Sequence, residues 1–245
     1  MIGLYIPMMK SQVILGDCYE ILKGLEKNSV DLVLIDPPYQ ISRKSNFTKN
    51  SKNLKFNKIN IDFGYWDEEE IDLSLLFEEF KRVLKTSGYL IIFYDVWKSQ
   101  SLKYYADKSG FKQPRVCQWV KTNPVPINSK KNYLSNSIEF FFTFVKGKNP
   151  VFNSSYDKGI YNFPICHGKE RTQHPTQKPL GLIKSLVEKH SEPNSIVLDC
   201  FGGSGTTGEA CKDLGREFIL IEKEIEYYKI ICERLNLGTI QEVQN

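Results

Sequence analysis

The chain has 245 residues, enough for one substantial core with a small appended lobe, and its 41% hydrophobic and 25% charged content is that of a globular protein, not a disordered or fibrous one. No apolar run approaches the ~20 residues that span a bilayer, and the apolar start, Met1 to Met9, lacks the charged head and length of a signal peptide, so the expected compartment is the cytoplasm with no membrane partner. A net charge of +4 with pI near 8.6 says little by itself about a polyanionic partner.

Val13 to Leu15 reads as a strand, Tyr19 to Leu25 as a helix, and the apolar run Val30 to Ile35 as a central strand. That strand ends in Asp36-Pro37-Pro38-Tyr39. Neither proline has an N–H to donate, so the ladder must stop there, with one carboxylate before the rigid pair and one aromatic ring after it. Such a segment suits a flat ring bearing an amino group: Asp36 and the Pro37 carbonyl each accept one hydrogen of an –NH2, and Tyr39 stacks on the ring. A plain turn out of a buried strand would look the same, and a second motif is needed to decide between them.

From Gln40 to Asn60 there is no acid, while Arg43, Lys44, Lys49, Lys52, Lys55 and Lys58 supply positive charge. Such a stretch is a mobile surface loop by composition (residues 40–62), and it leaves directly from the Asp-Pro-Pro-Tyr segment, a place for contacts to phosphates. Leu73, Leu76, Phe80, Val83 and Leu84 then recur at helical spacing with Gly88 as a stop signal. Tyr89 to Tyr94 is a buried strand, Lys98 to Lys108 a helix, and Val116 to Val120 and Ile138 to Val145 are strands without a clear helix between them. Lys121 to Ser137 and Lys146 to Gln173 are polar and rich in Pro, Gly, Asn and Lys, with aromatic residues set among basic ones.

A helix begins near Pro179, and the strand Ile196 to Leu198 leads into Asp199-Cys200-Phe201-Gly202-Gly203-Ser204-Gly205-Thr206-Thr207-Gly208. This is a strand, a glycine-rich turn and a helix N-terminus, and Glu222 closes the next strand, Phe218 to Ile221. Glycines let the backbone approach a ligand, the helix presents N–H groups, and Glu222 is placed to accept from two ribose hydroxyls. The spacing Gly203-x-Gly205-x-x-Gly208 also fits a dinucleotide fingerprint, which keeps an NAD-dependent oxidoreductase open as an alternative. Too little chain follows Glu222 for a second nucleotide-binding half. A last helix spans about Glu224 to Leu235. The six cysteines contain no Cys-x-x-Cys pair and the three histidines are scattered, so neither a metal site nor a disulfide framework is expected.

The two motifs together, in this order, resemble the amino-methyltransferases of DNA that use S-adenosylmethionine (AdoMet), in their circularly permuted β class, adenine-N6 specific and of restriction-modification type. Gly16-Asp17-Cys18 and His174-Pro175-Thr176-Gln177-Lys178-Pro179 match further motifs of that class, so the resemblance covers nearly the whole chain. It implies a single α/β domain (1–245) with the Rossmann-like AdoMet-dependent methyltransferase fold, a mainly parallel seven-stranded sheet with an antiparallel edge strand. Within it, 122–173 would recognise the target and 174–245 would hold AdoMet. Catalysis would fall to Asp36, Pro37, Pro38 and Tyr39. The cofactor would meet Asp17, Cys18, Asp36, His174, Thr176, Gln177, Phe201, Gly203, Ser204, Gly205, Thr206 and Glu222, with Lys178 as counter-ion to its carboxylate. Arg43, Lys44, Lys49, Lys52, Lys130 and Lys131 would contact DNA. The implied activity is site-specific methylation of adenine N6 in double-stranded DNA by base flipping. Cytosine N4 is the alternative on the same fold, and RNA or a glutamine amide lies further off. A cognate restriction endonuclease and a second copy of the chain are the further partners the class implies.

Overall fold

The computed structural model describes residues 11–38, 71–124 and 134–237, and among these eight strands form one sheet. The chain runs β1 (Gln12–Leu15), α1 (Cys18–Gly24), β2 (Val30–Ile35), α2 (Leu73–Val83), β3 (Leu84–Phe93) and α3 (Ser99–Lys108). It continues through β4 (Lys112–Lys121), β5 (Ile138–Val145), β6 (Ile160–Phe163), α4 (Leu180–His190), β7 (Ile196–Asp199), α5 (Thr206–Leu214), β8 (Glu217–Glu222) and α6 (Ile225–Leu235). The strand order is β1-β8-β7-β2-β3-β5-β4-β6. All pairings are parallel except those of β5, which runs against both β3 and β4.

This is the expected α/β class with two differences of detail. The sheet has eight strands, not seven, because Ile160–Phe163 adds to β4 from within a stretch whose Gly, Asn and Lys content hides so short a strand. The reversed strand, β5, lies between β3 and β4, and β6 forms the rim beyond β4. A second correction concerns Gly88. The helix before it ends at Val83, and Gly88 lies within β3. A Cβ there would sit 2.9 Å from the Asp31 carbonyl oxygen, so the glycine permits close approach of β3 to β2 and stops nothing.

Strand alternation divides the core into two layers. Val33 and Ile35 of β2 point to one face, under Leu22 of α1, Phe77 and Phe80 of α2 and Leu102 of α3. Leu32 and Leu34 point to the other, against Leu186 of α4, Cys211 of α5 and Ile231 of α6. The central strands are buried on both faces, which is why β2 and β3 read as nearly continuous apolar runs. Asp31 is the exception in β2, and it is satisfied: its carboxylate accepts from the Lys85 ammonium and from the Ile196 N–H, each at 2.9 Å.

One consequence of this order positions the site. β2 and β7 are neighbours, in register at Leu32–Val197 and Val33–Leu198, although far apart in sequence. Their carboxyl ends therefore lie side by side where the strand order reverses, the place where open α/β sheets bind ligands.

Candidate active site

β2 stops at Ile35 because the next two peptide nitrogens after Asp36 belong to proline. Asp36 thus projects from the sheet's end into a cavity of about 260 Å³. Its Oδ2 accepts from the Lys178 ammonium, while Oδ1 is buried with no hydrogen-bond partner among the described residues. Lys178 comes from the segment just before α4; its Nζ also lies 3.3 Å from Glu139 Oε2 and 5.0 Å from the centre of the Phe93 ring. Glu139, the second residue of β5, is held in turn by Lys121 Nζ at 2.8 Å. Burial pushes the Asp36 carboxyl above the ordinary carboxylate range, against the opposing pull of Lys178. Burial also pushes Glu139 up, but the two ammonium groups outweigh it and the net shift is down.

The opposite wall is the glycine-rich turn between β7 and α5. Gly203 and Gly205 hold φ of +51° and +76°, a region that L side chains rarely adopt. A Cβ on Gly203 would stand 3.1 Å from His174 Nε2, so this glycine also keeps the cavity open at His174. Glu222, at the end of β8, ties the turn down: Gly203 N–H donates to one of its oxygens at 2.7 Å and Glu224 N–H to the other at 2.8 Å. Burial raises its carboxyl, against those two hydrogen bonds. The Lys223 N–H bears on the same carboxylate, and the residue lines the cavity.

Asp199 closes the floor. Its carboxylate accepts from Thr207 Oγ1 at 2.6 Å and from the Phe201 N–H at 3.0 Å, and burial pushes its pKa up from 3.8 to about 7. A folded-state value above the unfolded one means that protonation favours folding. The contribution is complete below 3.8 and is lost as pH rises through about 7. Asp199→Asn cannot ionise and escapes that loss. Its melting temperature relative to wild type should therefore climb from about pH 5 to about pH 8, followed by circular dichroism without cofactor. A pH-independent difference would show that Asp199 is ionised throughout.

Comparison with known proteins shows the family. A family model described as DNA methylase, of the N6/N4 methyltransferases, matches residues 30–233, from β2 into α6. The chain belongs to the DNA methylase family. This methylase is 30% identical over 244 residues to the Type II methyltransferase M.HinfI of Haemophilus influenzae, covering 91% of the chain and 67% of that relative. It is 30% identical over 238 residues to M2.MboI of Moraxella bovis, covering 89% and 85%. Among solved structures, M1.HpyAVI in complex with SAM superposes with a TM-score of 0.70 at 32% identity, over 92% of this chain and 99% of that one. PvuII DNA methyltransferase, cytosine-N4-specific, shares the fold with a TM-score of 0.70 at 18% identity, over 96% and 89%. Family membership removes the oxidoreductase alternative that the glycine spacing had left open.

Of the expected site residues in the methylase, Asp17, Cys18, Asp36, Pro37, Pro38, His174, Thr176, Gln177, Lys178, Phe201, Gly203, Ser204, Thr206 and Glu222 line one cavity. Gly205 does not line it. It sits beneath, as the N-cap of α5 against Ile231. Several of the others already have structural work. Asp17 caps α1 by accepting from Tyr19 N–H at 2.8 Å, and Gln177 Oε1 accepts from Thr172 N–H at 2.8 Å while its Nε2 donates to the Glu170 carbonyl. His174 is held edge-on to Tyr227, 4.5 Å between centres, and burial beside Lys178 lowers it to about 4, so its ring is neutral. Lys178, expected beside the cofactor's carboxylate, has its ammonium between Asp36 and Glu139. Tyr39, Arg43, Lys44, Lys49, Lys52, Lys130, Lys131 and the 40–62 loop lie outside the described residues.

Sequence reasoning missed Glu139, Lys121, Asp199 and Tyr227. Glu139 carried a signal, as the one acid in the run Ile138 to Val145. Asp199 carried another, as the last strand residue before the glycine turn. Nothing in the local pattern marks Lys121 or Tyr227. Among the described residues no group of His, Cys, Asp and Glu could hold a metal ion, and no helix is long and apolar enough to cross a membrane.

Proposed function

We propose that this DNA methylase transfers a methyl group from AdoMet to N6 of an adenine flipped out of double-stranded DNA, at a specific site and within a restriction-modification system. The observation that carries the reading is Asp36 itself: it lines the cavity beside the glycine turn, and its second oxygen is buried without a hydrogen-bond partner among the described residues.

The cavity fits AdoMet. Glu222 brings a carboxylate that can accept from ribose hydroxyls, Gly203 admits a ligand where a Cβ would crowd His174, and His174 and Thr176 are assigned to the amino-acid end. When bound, AdoMet supplies an electrophilic methyl on a sulfonium whose leaving group is a neutral thioether.

An exocyclic amino nitrogen is a poor nucleophile because its lone pair is delocalised into the ring. The Asp36 carboxylate and the Pro37 carbonyl accept its two hydrogens and so favour the tetrahedral nitrogen, whose lone pair is localised. A hydrogen bond to an ionised acceptor is worth roughly 1.5–3 kcal/mol, and here it strengthens as positive charge develops on nitrogen. The methylated nitrogen then carries one proton too many, which passes to the Asp36 carboxylate. Sequence alone expects Asp36 to hold the ordinary value near ~3.9 and to act chiefly as an orienter. Its upward shift makes it a stronger acceptor than that.

Aspartate at the head of the tetrapeptide favours adenine over cytosine. Tyr39 is assigned to stacking on the flipped base, the basic residues of 40–62 together with Lys130 and Lys131 to phosphates, and 122–173 to target recognition. The cytoplasm is the compartment, and a cognate endonuclease and a second copy of the chain are the proposed partners. The deciding experiment incubates the protein with AdoMet labelled in the methyl group and mixed-sequence duplex DNA, followed by digestion to nucleosides and mass-resolved chromatography. Label in N6-methyladenine is expected. Label in N4-methylcytosine would reassign the base and keep the role of Asp36.

A further inference from the structure

Asp36, Lys178, Glu139 and Lys121 form a row of alternating charge drawn from four separate segments of the chain. Lys178 bridges Asp36 Oδ2 and Glu139 Oε2, and Lys121 holds Glu139 Oε1 from behind. The row is largely withdrawn from water, with side-chain exposures of 8% for Lys178, 12% for Lys121 and 23% for Glu139. Two carboxylates thus share one ammonium, and the second ammonium competes for the outer carboxylate. Whatever attraction Glu139 exerts on Lys178 is withheld from Asp36.

We propose that Glu139 and Lys121 are positioning residues that apportion Lys178 between the two carboxylates, and so set how strongly Asp36 accepts the hydrogens of the target amino group. The inference rests on the reading of Asp36 as that acceptor. An Asp36 paired wholly to an ammonium would be a poor acceptor, and one with no cation nearby would be protonated in its buried place. The row holds it between these limits. The directions agree: Lys178 pulls the Asp36 carboxyl down and Glu139 pushes it up. Other ionisable groups also face this point. Asp199, at the end of β7, interacts with Asp36 as a like charge. His174, before α4, is kept neutral, and Asp17 and Glu222 border the same cavity. These stay constant in the comparison below.

A carboxylate that merely neutralised two buried lysines would cost stability when removed and would not move the titration of Asp36 in a set direction. The test is the pH profile of single-turnover methyl transfer for Glu139→Gln and Lys121→Gln. Glu139→Gln removes the carboxylate that competes with Asp36 for Lys178, so the acidic limb should move down by about one pH unit. Its plateau should fall on the order of threefold, because the acceptor is weaker. Lys121→Gln leaves Glu139 unopposed in drawing Lys178 away, so its acidic limb should move up by about one unit. The limb is read from relative rates within one variant and does not depend on the fraction folded. Unshifted limbs, or shifts in the same direction, would overturn the proposal. Should Glu139→Gln not fold, Lys121→Gln decides alone, and an unshifted or lowered limb sinks it. Asp36→Ala run alongside separates the two levels. If it keeps turnover, the reading of Asp36 itself fails; if it is inactive while the limbs do not move, only this inference fails.

Discussion

Asp36→Ala should lose methyl transfer by at least about 10²–10³-fold in single-turnover rate while still binding AdoMet. The size follows from removing an ionised acceptor aimed at a nitrogen that gains positive charge as it reacts. The interaction is stronger in the transition state than in the ground state, so its loss falls on the rate and not on binding. Removing Asp36 also leaves Lys178 with Glu139 as its remaining carboxylate among the partners described, which adds a positive field where positive charge develops. Isothermal calorimetry with AdoMet gives the control. Unchanged affinity with lost transfer supports the assignment; wild-type transfer would remove Asp36 from the chemistry altogether.

Glu222→Ala should act on the other half of the reaction. The carboxylate holds backbone N–H groups, among them those of Gly203 and Glu224, and is assigned two ribose hydroxyls. Losing the hydroxyl contacts alone removes two charge-assisted hydrogen bonds, and at ~1.5–3 kcal/mol each the dissociation constant for AdoMet should rise by about 10²–10⁴-fold. Glu222→Gln should lie between, because its amide keeps one acceptor and turns the other into a donor facing a backbone N–H. Transfer at saturating AdoMet should recover far more in Glu222→Gln than in Asp36→Ala. Calorimetric affinities close to wild type for both Glu222 variants would place the ribose elsewhere in the cavity.

The two variants separate what the two motifs do, and their proximity comes from topology. β2 carries Asp36 and β7 carries the glycine turn, and the two pair directly because α4 returns the chain to the middle of the sheet. A permuted order of motifs costs the site nothing, since the crevice depends on which strand ends are adjacent and not on which comes first.

The chain by itself determined the α/β class, most of the strands and helices, and the two motifs, because each is a local matter. Apolar runs mark the doubly buried strands β2 and β3, Pro37 and Pro38 end a ladder wherever they occur, and Gly203 and Gly205 turn a backbone that other residues would strain. Glu222 was legible for the same reason, as an acid closing an apolar strand after a glycine turn. Strand β6 was not, because four residues with one buried side chain leave too short a pattern and are held by pairing with β4. Gly88 misled because glycine ends helices and also admits close strand contact, and only the neighbouring strand tells which. The tertiary structure alone decided where charge sits at the site. Lys178 meets Asp36 across 142 positions of sequence, and Glu139 and Lys121 join them from the antiparallel pair β4 and β5. Coulomb attraction between buried groups depends on distance in space and on exclusion of water, and neither leaves a period or a spacing in the chain.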